Sequence, residues 1–486
     1  MLRRSYVIIF VVVFAVYLLS SFDVCWVDVP EKGADKGFVF SSSWAEHLHS
    51  SEEWAIYYQV QAFSEGRAWL SQGSPPPLAG DVYNIGDKYY AYAEPVTAMF
   101  LLPFYSMGQL LLGLGWLIRS VLVGMIFYTC LAALLVRKIS FQMNLNRNIA
   151  DLTALLFAFA TMAFSYSRLL YPQPIVCLLA LASIFFLFRY RKSRNQNDLF
   201  CSAILYGFTV FSFNALLIAA PLFIYFLYKT GCSISRKELL NVGLGILPGL
   251  LLFMSWNYAV TGNSLMTLRQ YIYPSITFQV LYPTPNGVWL NVEGLFGQLF
   301  SPAGIFFVSP ILFASIFGVF TLRTKAKEET TFLALLAVVF WLFISFAAHP
   351  GNVIGRDFWI GGWASTARYM YLPSAIVTIF ASSIFEAVHR NRRVIAAWLL
   401  SLMTIISFLA NMSYGIHHDL MTGKSEDFIS KSLIIWPYHL TSTEMAILAT
   451  AILLVSLAYP IFLAKKEKKT LDLIRRAYKK AIHGKR

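Results

Sequence analysis

The sequence SSEEWAIYYQVQAFSEGRAWL (residues 50–70) is continued, after a Ser/Pro/Gly-rich link, by GDKYYAYAEPVTAMFLLPFYSMG (residues 86–108). Together they make up most of a long polar loop that follows the first apolar segment. The loop carries two adjacent acids, Glu52 and Glu53, a third acid before a proline, Glu94, and many aromatic residues. Nearly all the rest of the chain is apolar, so this loop holds a large share of the polar chemistry.

The composition predicts a polytopic membrane protein. Of the 486 residues, 57% are hydrophobic and 13% are charged, and the mean hydropathy is +0.60. A soluble domain has about 25% charged residues. Repeated charge-free apolar runs of about 17–25 residues are typical of transmembrane helices. The cysteines show neither a metal-ligand spacing nor a disulfide framework.

We predict twelve membrane-spanning helices. The long apolar stretch Phe200–Tyr228 is divided into two of them by a turn near Asn214. The first span follows Arg3 and Arg4 without a small-residue cleavage site, so it is interpreted as a retained span rather than a signal peptide. The other ten spans lie near residues 6–22, 120–136, 152–167, 174–188, 239–259, 304–322, 331–348, 369–385, 394–411 and 445–464.

The distribution of Lys and Arg predicts the orientation. If both termini are cytoplasmic and Val96–Gly113 does not cross, every short basic loop lies inside, together with the basic tail 465–486. Val96–Gly113 is then a helix at the outer interface, or one that dips into it. In the alternative, Val96–Gly113 crosses and 200–228 spans once, which leaves more basic residues outside. The net charge of +14 is concentrated in the tail, which suits anionic lipid rather than nucleic acid.

The acids of the first outer loop, about residues 23–118, are candidate catalytic groups. Glu52 and Glu53 open a helix-like run, where the simpler alternative is that they only favour the helix dipole. Glu94 lies where the loop meets the bilayer. Burial there is expected to raise its pKa and to suit it to base chemistry.

Three arginines at the outer ends of spans are candidate phosphate ligands: Arg168 in FSYSRLLYPQP, Arg368 in GGWASTARYMYLP, and Arg356 nearby. The planar guanidinium suits a pair of phosphate oxygens, and the alternative is that each arginine reaches a lipid phosphate. Acids and arginines at one membrane face suit a reaction between a lipid-linked phosphate donor and an acceptor hydroxyl. No histidine has a metal-ligand spacing.

At these residues the chain resembles the GT-C superfamily of integral-membrane glycosyltransferases, in particular the protein-mannosyltransferase and aminoarabinose-transferase type. The matching elements, in order, are Glu52-Glu53 with Ser64-Glu65-Gly66, Asp87-Lys88-Tyr89-Tyr90-Ala91-Tyr92-Ala93-Glu94-Pro95, Tyr166-Ser167-Arg168 with Pro172-Gln173-Pro174, Trp256-Asn257-Tyr258, Leu299-Phe300-Ser301-Pro302, and Trp359 through Tyr369. The chain departs from the family pattern at Gln173, where Glu is usual, and at Ala367, where Pro is usual.

The resemblance implies an all-α GT-C-like bundle of about twelve transmembrane helices over 1–464, with juxtamembrane helices in the first outer loop. It implies a polyprenyl-phosphate sugar donor and inverting transfer on the outer face of the cell membrane. The resemblance also implies that Glu52 or Glu53 is the general base and that Arg368 and Arg168 hold the donor phosphate. We expect the sugar or acceptor to meet aromatic residues of the outer loops, namely Tyr57, Tyr90, Tyr92 and Trp363.

The resemblance leaves several partners open. The acceptor is a glycan, a lipid or a protein, and membrane lipids surround the chain. No cofactor is assigned, and the use of a divalent cation stays open.

Two other functions are compatible with a polytopic membrane protein. A transporter or lipid flippase would usually carry ionisable residues in mid-span and paired repeats, and neither is found in the sequence. An O-antigen-type ligase or polymerase would use the same donors but place its key groups in a large late loop, whereas here the loop rich in acids and aromatic residues is the first.

Overall fold

Helices make up most of the described chain. The structure, a computed structural model, describes residues 2–21, 25–26, 40–41, 51–70, 82–91, 93–111, 117–231, 235–268, 271, 283–284, 287–288, 292–300, 304–346, 368–391 and 393–416. The helices are α1 (Leu2–Ser21), α2 (Ser51–Ser64), α3 (Pro95–Leu111), α4 (Leu117–Gln142), α5 (Arg147–Ala160), α6 (Ala163–Tyr166), α7 (Gln173–Ser193), α8 (Gln196–Ser212), α9 (Ala220–Lys229), α10 (Arg236–Thr261), α11 (Val292–Phe300), α12 (Ile305–Val308), α13 (Ala314–Arg323), α14 (Lys327–Phe346), α15 (Tyr371–Asn391) and α16 (Val394–Ile416). Short 3-10 segments cover Asn214–Ala219, Pro310–Phe313 and Arg368–Met370.

Short antiparallel hairpins interrupt the helices. The paired strands are β1 (Cys25–Trp26) with β2 (Phe40–Ser41), β3 (Val82–Ile85) with β4 (Lys88–Ala91), and β5 (Pro283–Thr284) with β6 (Gly287–Val288). Predicted features that lie outside the described residues are Tyr92, Arg356, Trp363, the span at 445–464 and the tail 465–486.

Within the described ranges, six helices are long and apolar enough to cross a membrane: α4, α7, α10, α14, α15 and α16. The chain is therefore an integral membrane protein. The predicted number of twelve spans is not confirmed.

Two predicted spans are interrupted. In the span at 152–167, α5 ends at Ala160 and Thr161 has an extended backbone, with φ −131° and ψ 173°. In the span at 304–322, α12 ends before Ser309, whose φ is −134°. Pro310 follows it, and proline both lacks a backbone N–H and disfavours the helical conformation in the residue before it.

The short loops that the charge pattern groups together lie at one end of the bundle, which we call the basic end. Asn144, after α4, donates a hydrogen bond to the Lys325 carbonyl, between α13 and α14, at 3.1 Å. Arg137, near the end of α4, donates to Ser5 Oγ in α1 at 3.0 Å. α1 therefore begins at the basic end and α4 finishes there. We call the opposite end, where α4 and α15 begin, the site end.

α3 makes no net crossing of the bundle. It lies antiparallel to the first half of α4: Tyr128 donates to the Phe100 carbonyl at 2.7 Å, and a Cβ placed on Gly108 would lie 2.2 Å from Ser120 Oγ. Because α1 leads away from the basic end and α4 leads back to it, the segment between them begins and ends at the site end. This agrees with the interpretation of Val96–Gly113 as a helix that does not cross.

The apolar stretch 200–228 folds back on itself, as predicted. α8 ends at Ser212, and the Tyr206 ring lies with its centroid 4.5 Å from that of Phe223 in α9. At the basic end, Arg194 donates to the Thr230 carbonyl at 3.0 Å. The beginning of α8 and the end of α9 therefore lie together, and the turn lies at the site end.

The first loop also contains a β-hairpin that the sequence analysis did not predict. β3 and β4 are joined at Gly86, which has φ +67°, a backbone conformation that glycine adopts at low cost. The Leu70 amide donates to the Tyr89 carbonyl at 2.8 Å, and the Lys88 ammonium lies 4.1 Å from the centroid of the Trp69 ring. These contacts join the chain that follows α2 to the hairpin that leads into α3.

Candidate active site

The helix that Glu52 and Glu53 were predicted to open is present as α2, which begins at Ser51 and directs its two acids to different partners. Glu52 forms an ion pair with Arg368, which opens the 3-10 turn before α15. The side chains of Glu52 and Arg368 are only 18% and 12% exposed. The Glu52 carboxylate thus does more than favour the dipole of its own helix, because it joins the first loop to a residue 316 positions away.

Glu53 is buried, with 1% exposure, and accepts a hydrogen bond from the Leu170 amide at 3.0 Å. Leu170 belongs to the loop between α6 and α7, which also contains Arg168. A backbone amide buried in that loop needs an acceptor, and the Glu53 carboxylate supplies it. Glu53 therefore docks α2 onto this loop.

Arg368 is surrounded by tyrosines. One of its terminal nitrogens donates to the Tyr369 hydroxyl at 3.2 Å. Its guanidinium carbon lies 5.2 Å from the centroid of the Tyr171 ring and 5.0 Å from that of Tyr369. Aromatic faces stabilise a cation at such distances. The guanidinium is thus held between one carboxylate and two rings.

Arg168 is 8% exposed, and its guanidinium lies over the Phe164 ring at 4.7 Å. Phe164 in turn contacts Tyr17 of α1 at a ring distance of 5.6 Å. The structure therefore places Arg168 on the side of the loop that faces α1, whereas Arg368 faces α2.

Glu94 lies between β4 and α3, and its side chain is partly exposed. Burial raises its pKa to about 8, and the Asn214 amide, which donates to Glu94 Oε1 at 3.3 Å, acts in the opposite direction. This confirms the expectation that burial raises the pKa of Glu94. Gln59 of α2 donates to the carbonyl of the preceding residue, Ala93, at 3.3 Å, so the acid also lies beside α2.

The predicted sugar-binding tyrosines lie in different environments. Tyr57 packs among aromatic rings of α2 and α3, with its centroid 6.1 Å from that of Tyr105. Burial raises the pKa of Tyr57, and Tyr105 and Tyr58 raise it further. Tyr90 is buried in a small apolar cluster with Val260 and other residues, and burial also raises its pKa.

A small, mostly apolar cavity of about 20 Å³ borders Tyr369, the neighbour of Arg368 in the chain. Tyr369 and Gln173 line it together with Pro172, Val176, Phe213, Phe340, Tyr371 and Leu372. Gln173 is 8% exposed, and its Oε1 has no hydrogen-bond partner among the described residues. Gln173 is the residue that stands in place of the family's usual Glu.

The arrangement brings Glu52 and Arg368 together and places Glu94 next to Asn214, whose chain neighbour Phe213 lines the cavity. Sequence reasoning missed Tyr171, Phe213 and Tyr369 as members of this site. Only their proximity to predicted residues in the chain could have indicated them. Within the part of the chain that the structure describes, no group of three or more His, Cys, Asp or Glu side chains could hold a metal ion.

No family model and no curated protein matches this sequence. Among solved structures, the chain is similar to ArnT from Cupriavidus metallidurans in the apo state, with TM-score 0.52 and 13% identity over 83% of this chain and 64% of ArnT. It is also similar to the Archaeoglobus fulgidus oligosaccharyltransferase in its apo form, with TM-score 0.50 and 13% identity over 87% of this chain and 57% of that enzyme.

The same archaeal enzyme tethered to an acceptor peptide with the NVT sequon gives TM-score 0.51 and 13% identity, over 84% of this chain and 55% of that enzyme. The chain thus spans less than two thirds of the length of each of these proteins. Both neighbours are membrane glycosyltransferases of the GT-C superfamily, and the fold of this chain is a GT-C-like fold. The resemblance deduced from its motifs is therefore confirmed for the fold.

Proposed function

We propose that this chain is a membrane glycosyltransferase that moves a sugar from a polyprenyl-phosphate donor to an acceptor hydroxyl. The observation that carries the proposal is the Glu52–Arg368 ion pair at the site end of a GT-C-like bundle. It sets a carboxylate and a guanidinium in contact, with Glu94 and an apolar cavity nearby. A GT-C-like fold shared with ArnT and with an oligosaccharyltransferase supports this reaction class.

Arg368 is proposed to bind the donor phosphate. Its planar fork can hold two phosphate oxygens, and its contacts to Tyr369 and Tyr171 fix the plane of the guanidinium before a ligand arrives. A bound phosphate would compete with Glu52 for the same guanidinium. Donor binding would therefore release Glu52 for chemistry at the moment when the sugar is in place.

Glu52 is proposed as the general base. The ion pair with Arg368 favours the ionised carboxylate, the form that accepts a proton. In the transfer, Glu52 takes the proton of the acceptor hydroxyl as that oxygen attacks the anomeric carbon. The bond between that carbon and the phosphate oxygen breaks, polyprenyl phosphate leaves, and the configuration inverts. Arg368 stabilises the charge on the leaving phosphate.

The other two acids receive different roles. Glu53 is proposed as a positioning residue, because its carboxylate is engaged with the Leu170 amide. Glu94, whose pKa is raised to about 8, is mostly protonated at neutral pH. It is proposed to donate a hydrogen bond to the sugar or phosphate instead of acting as a base.

The other predicted site residues are proposed to bind the donor phosphate, the sugar or the acceptor. Arg168 and Arg356 would add to the phosphate site, and Tyr57, Tyr90, Tyr92 and Trp363 to the sugar or acceptor site. The basic end is proposed to face the cytoplasm, because short basic loops stay on that side. The site end would then face outward, where the acceptor glycan, lipid or protein is modified.

The test is transfer in membranes supplied with a panel of polyprenyl-phosphate sugars. Glu52→Gln is expected to lower kcat by about 10²–10⁴-fold, the usual worth of a general base. Arg368→Ala is expected to lower kcat by about 10²–10³-fold, the scale for removing a group that stabilises the charge in the transition state, and to weaken polyprenyl phosphate binding as well.

Glu386→Gln is the matched control. It removes the carboxylate of a part-buried ion pair, with Lys325, at the basic end, and should leave transfer close to wild type. If wild type consumes no donor of the panel, the proposed function is wrong. If Glu52→Gln transfers sugar as fast as wild type, the proposed base is wrong.

A further inference from the structure

The chain changes direction between α8 and α9 at the dipeptide Phe213-Asn214. Phe213 is extended, with φ −154° and ψ 95°, and Asn214 opens a 3-10 segment. The Tyr206 hydroxyl donates to the Leu216 carbonyl at 2.8 Å, so this segment is tied back to α8. The break is therefore a fixed element of the fold at the site end.

The two side chains at this break contact two different parts of the candidate site. The Asn214 amide donates to Glu94 Oε1 at 3.3 Å. The Phe213 ring stacks on Tyr369, with centroids 5.7 Å apart and planes 18° apart. Tyr369 in turn accepts a hydrogen bond from Arg368, whose other terminal nitrogen pairs with Glu52.

We propose that Asn214 and Phe213 are positioning residues that fix the positions of Glu94 and Arg368 relative to each other. Asn214 orients Glu94 through a hydrogen bond, and Phe213 orients Arg368 through Tyr369. This inference rests on the proposed function in that it assigns Glu94 and Arg368 to one site. The contacts themselves are independent of the reaction catalysed.

The two contacts have separable consequences. Neither α3 nor the 3-10 segment Asn214–Ala219 carries a charged side chain. The charged residues of α2 are Glu52 and Glu53, and those of the β3–β4 hairpin are Asp87 and Lys88. Besides burial, the influence on the pKa of Glu94 is the Asn214 amide, which favours the carboxylate. Loss of the amide should therefore move the titration of Glu94 upward, whereas loss of the Phe213 ring should leave it in place.

The first experiment follows the protonation of Glu94 by infrared difference spectroscopy on the full chain in lipid nanodiscs, with Glu94→Gln to assign the carboxyl band. Asn214→Ala should shift this titration upward by roughly 1 pH unit, the scale set by one hydrogen bond to a charged group. Asn214→Asp, which keeps the side-chain shape and adds a second acid, should shift it in the same direction. Asn241→Ala is the control, because it removes an amide that donates to Gln196 Oε1 at 2.8 Å at the far end of α8.

The second experiment measures binding of polyprenyl phosphate, with inorganic phosphate as competitor. Phe213→Leu should weaken binding by roughly 5-fold, because it removes an aromatic pair worth on the order of 1 kcal/mol. Phe213→Tyr, which keeps the ring, should restore binding. Neither Phe213 variant should move the Glu94 titration.

An unchanged Glu94 titration in folded Asn214→Ala and Asn214→Asp would overturn the role of Asn214. Unchanged binding in Phe213→Leu would overturn the role of Phe213. If the titration and the binding change as expected while wild type transfers no sugar, the positioning roles stand and the proposed function fails. The two failures are thus distinguishable.

Discussion

Replacement of Glu94 by glutamine should make the protein less sensitive to alkaline pH. Glu94 has a folded-state pKa of about 8 and an ordinary pKa of 4.5, so between these values the folded state holds a proton that the unfolded state has lost. The protonated Glu94 therefore makes its full contribution to the free energy of unfolding below about pH 4.5, and this contribution is lost as the pH rises through about 8. Glutamine stays neutral at every pH and can still accept the Asn214 hydrogen bond.

The magnitude follows from the two pKa values. Their difference corresponds to ~5 kcal/mol at most, and because the side chain is partly exposed we expect roughly half of that. Glu94→Gln should therefore match wild type near pH 5 and exceed it by about 2–3 kcal/mol in free energy of unfolding near pH 9.

Denaturant unfolding in a mild detergent, measured at a series of pH values, tests this. Glu328→Gln, the same replacement in the first turn of α14 at the basic end, controls for the loss of a carboxylate. If wild type and Glu94→Gln lose stability in parallel between about pH 5 and about pH 9, Glu94 is not the group that is kept protonated, and its assignment as a hydrogen-bond donor is wrong.

The remaining predictions concern the packing that holds the site. Glu53→Ala leaves the buried Leu170 amide without its acceptor and should cost about 1–3 kcal/mol in free energy of unfolding; a cost near zero would show that the amide finds another partner. Gly318→Ala should prevent α13 and α15 from packing, because the new Cβ would lie 1.9 Å from the Phe380 carbonyl oxygen, and the yield of folded protein in detergent should fall sharply. Gly243→Ala on α10 is the control, since its Cβ would meet nothing within 4 Å, and it should be neutral or stabilise by up to about 1 kcal/mol; equal yields for the two variants would contradict the close approach at Gly318.

The spans were predictable wherever apolar length and flanking charge agreed. Helices α7 and α10 carry long apolar runs with basic residues at one end, the last turn of α7 and the start of α10, and these two properties are local. The break at Ser309 had a local signal in Pro310, whereas the break at Thr161 had none comparable. At Thr161 the backbone leaves the helix, and the threonine Oγ1 accepts from the Ala163 amide at 3.2 Å.

The candidate site was predictable in its residue types but not in its contacts. Acids in the first loop and arginines at span ends pointed to phosphate chemistry. The sequence could not distinguish Glu52 from Glu53, which are neighbours in the chain. On a helix, adjacent side chains point about 100° apart, so one reaches Arg368 and the other the Leu170 amide.

By itself, the sequence determined that the chain is a membrane protein, which of its loops are basic, and which polar residues could react. Those properties depend on composition and on the solvent that each segment requires, and both can be read along the chain. Only the tertiary structure decided that Glu52 meets Arg368, 316 residues away, and that Phe213 and Asn214 lie between Tyr369 and Glu94. Such contacts depend on how helices pack, and packing is fixed by the shapes of surfaces far apart in the sequence, such as Gly318 against the Phe380 carbonyl.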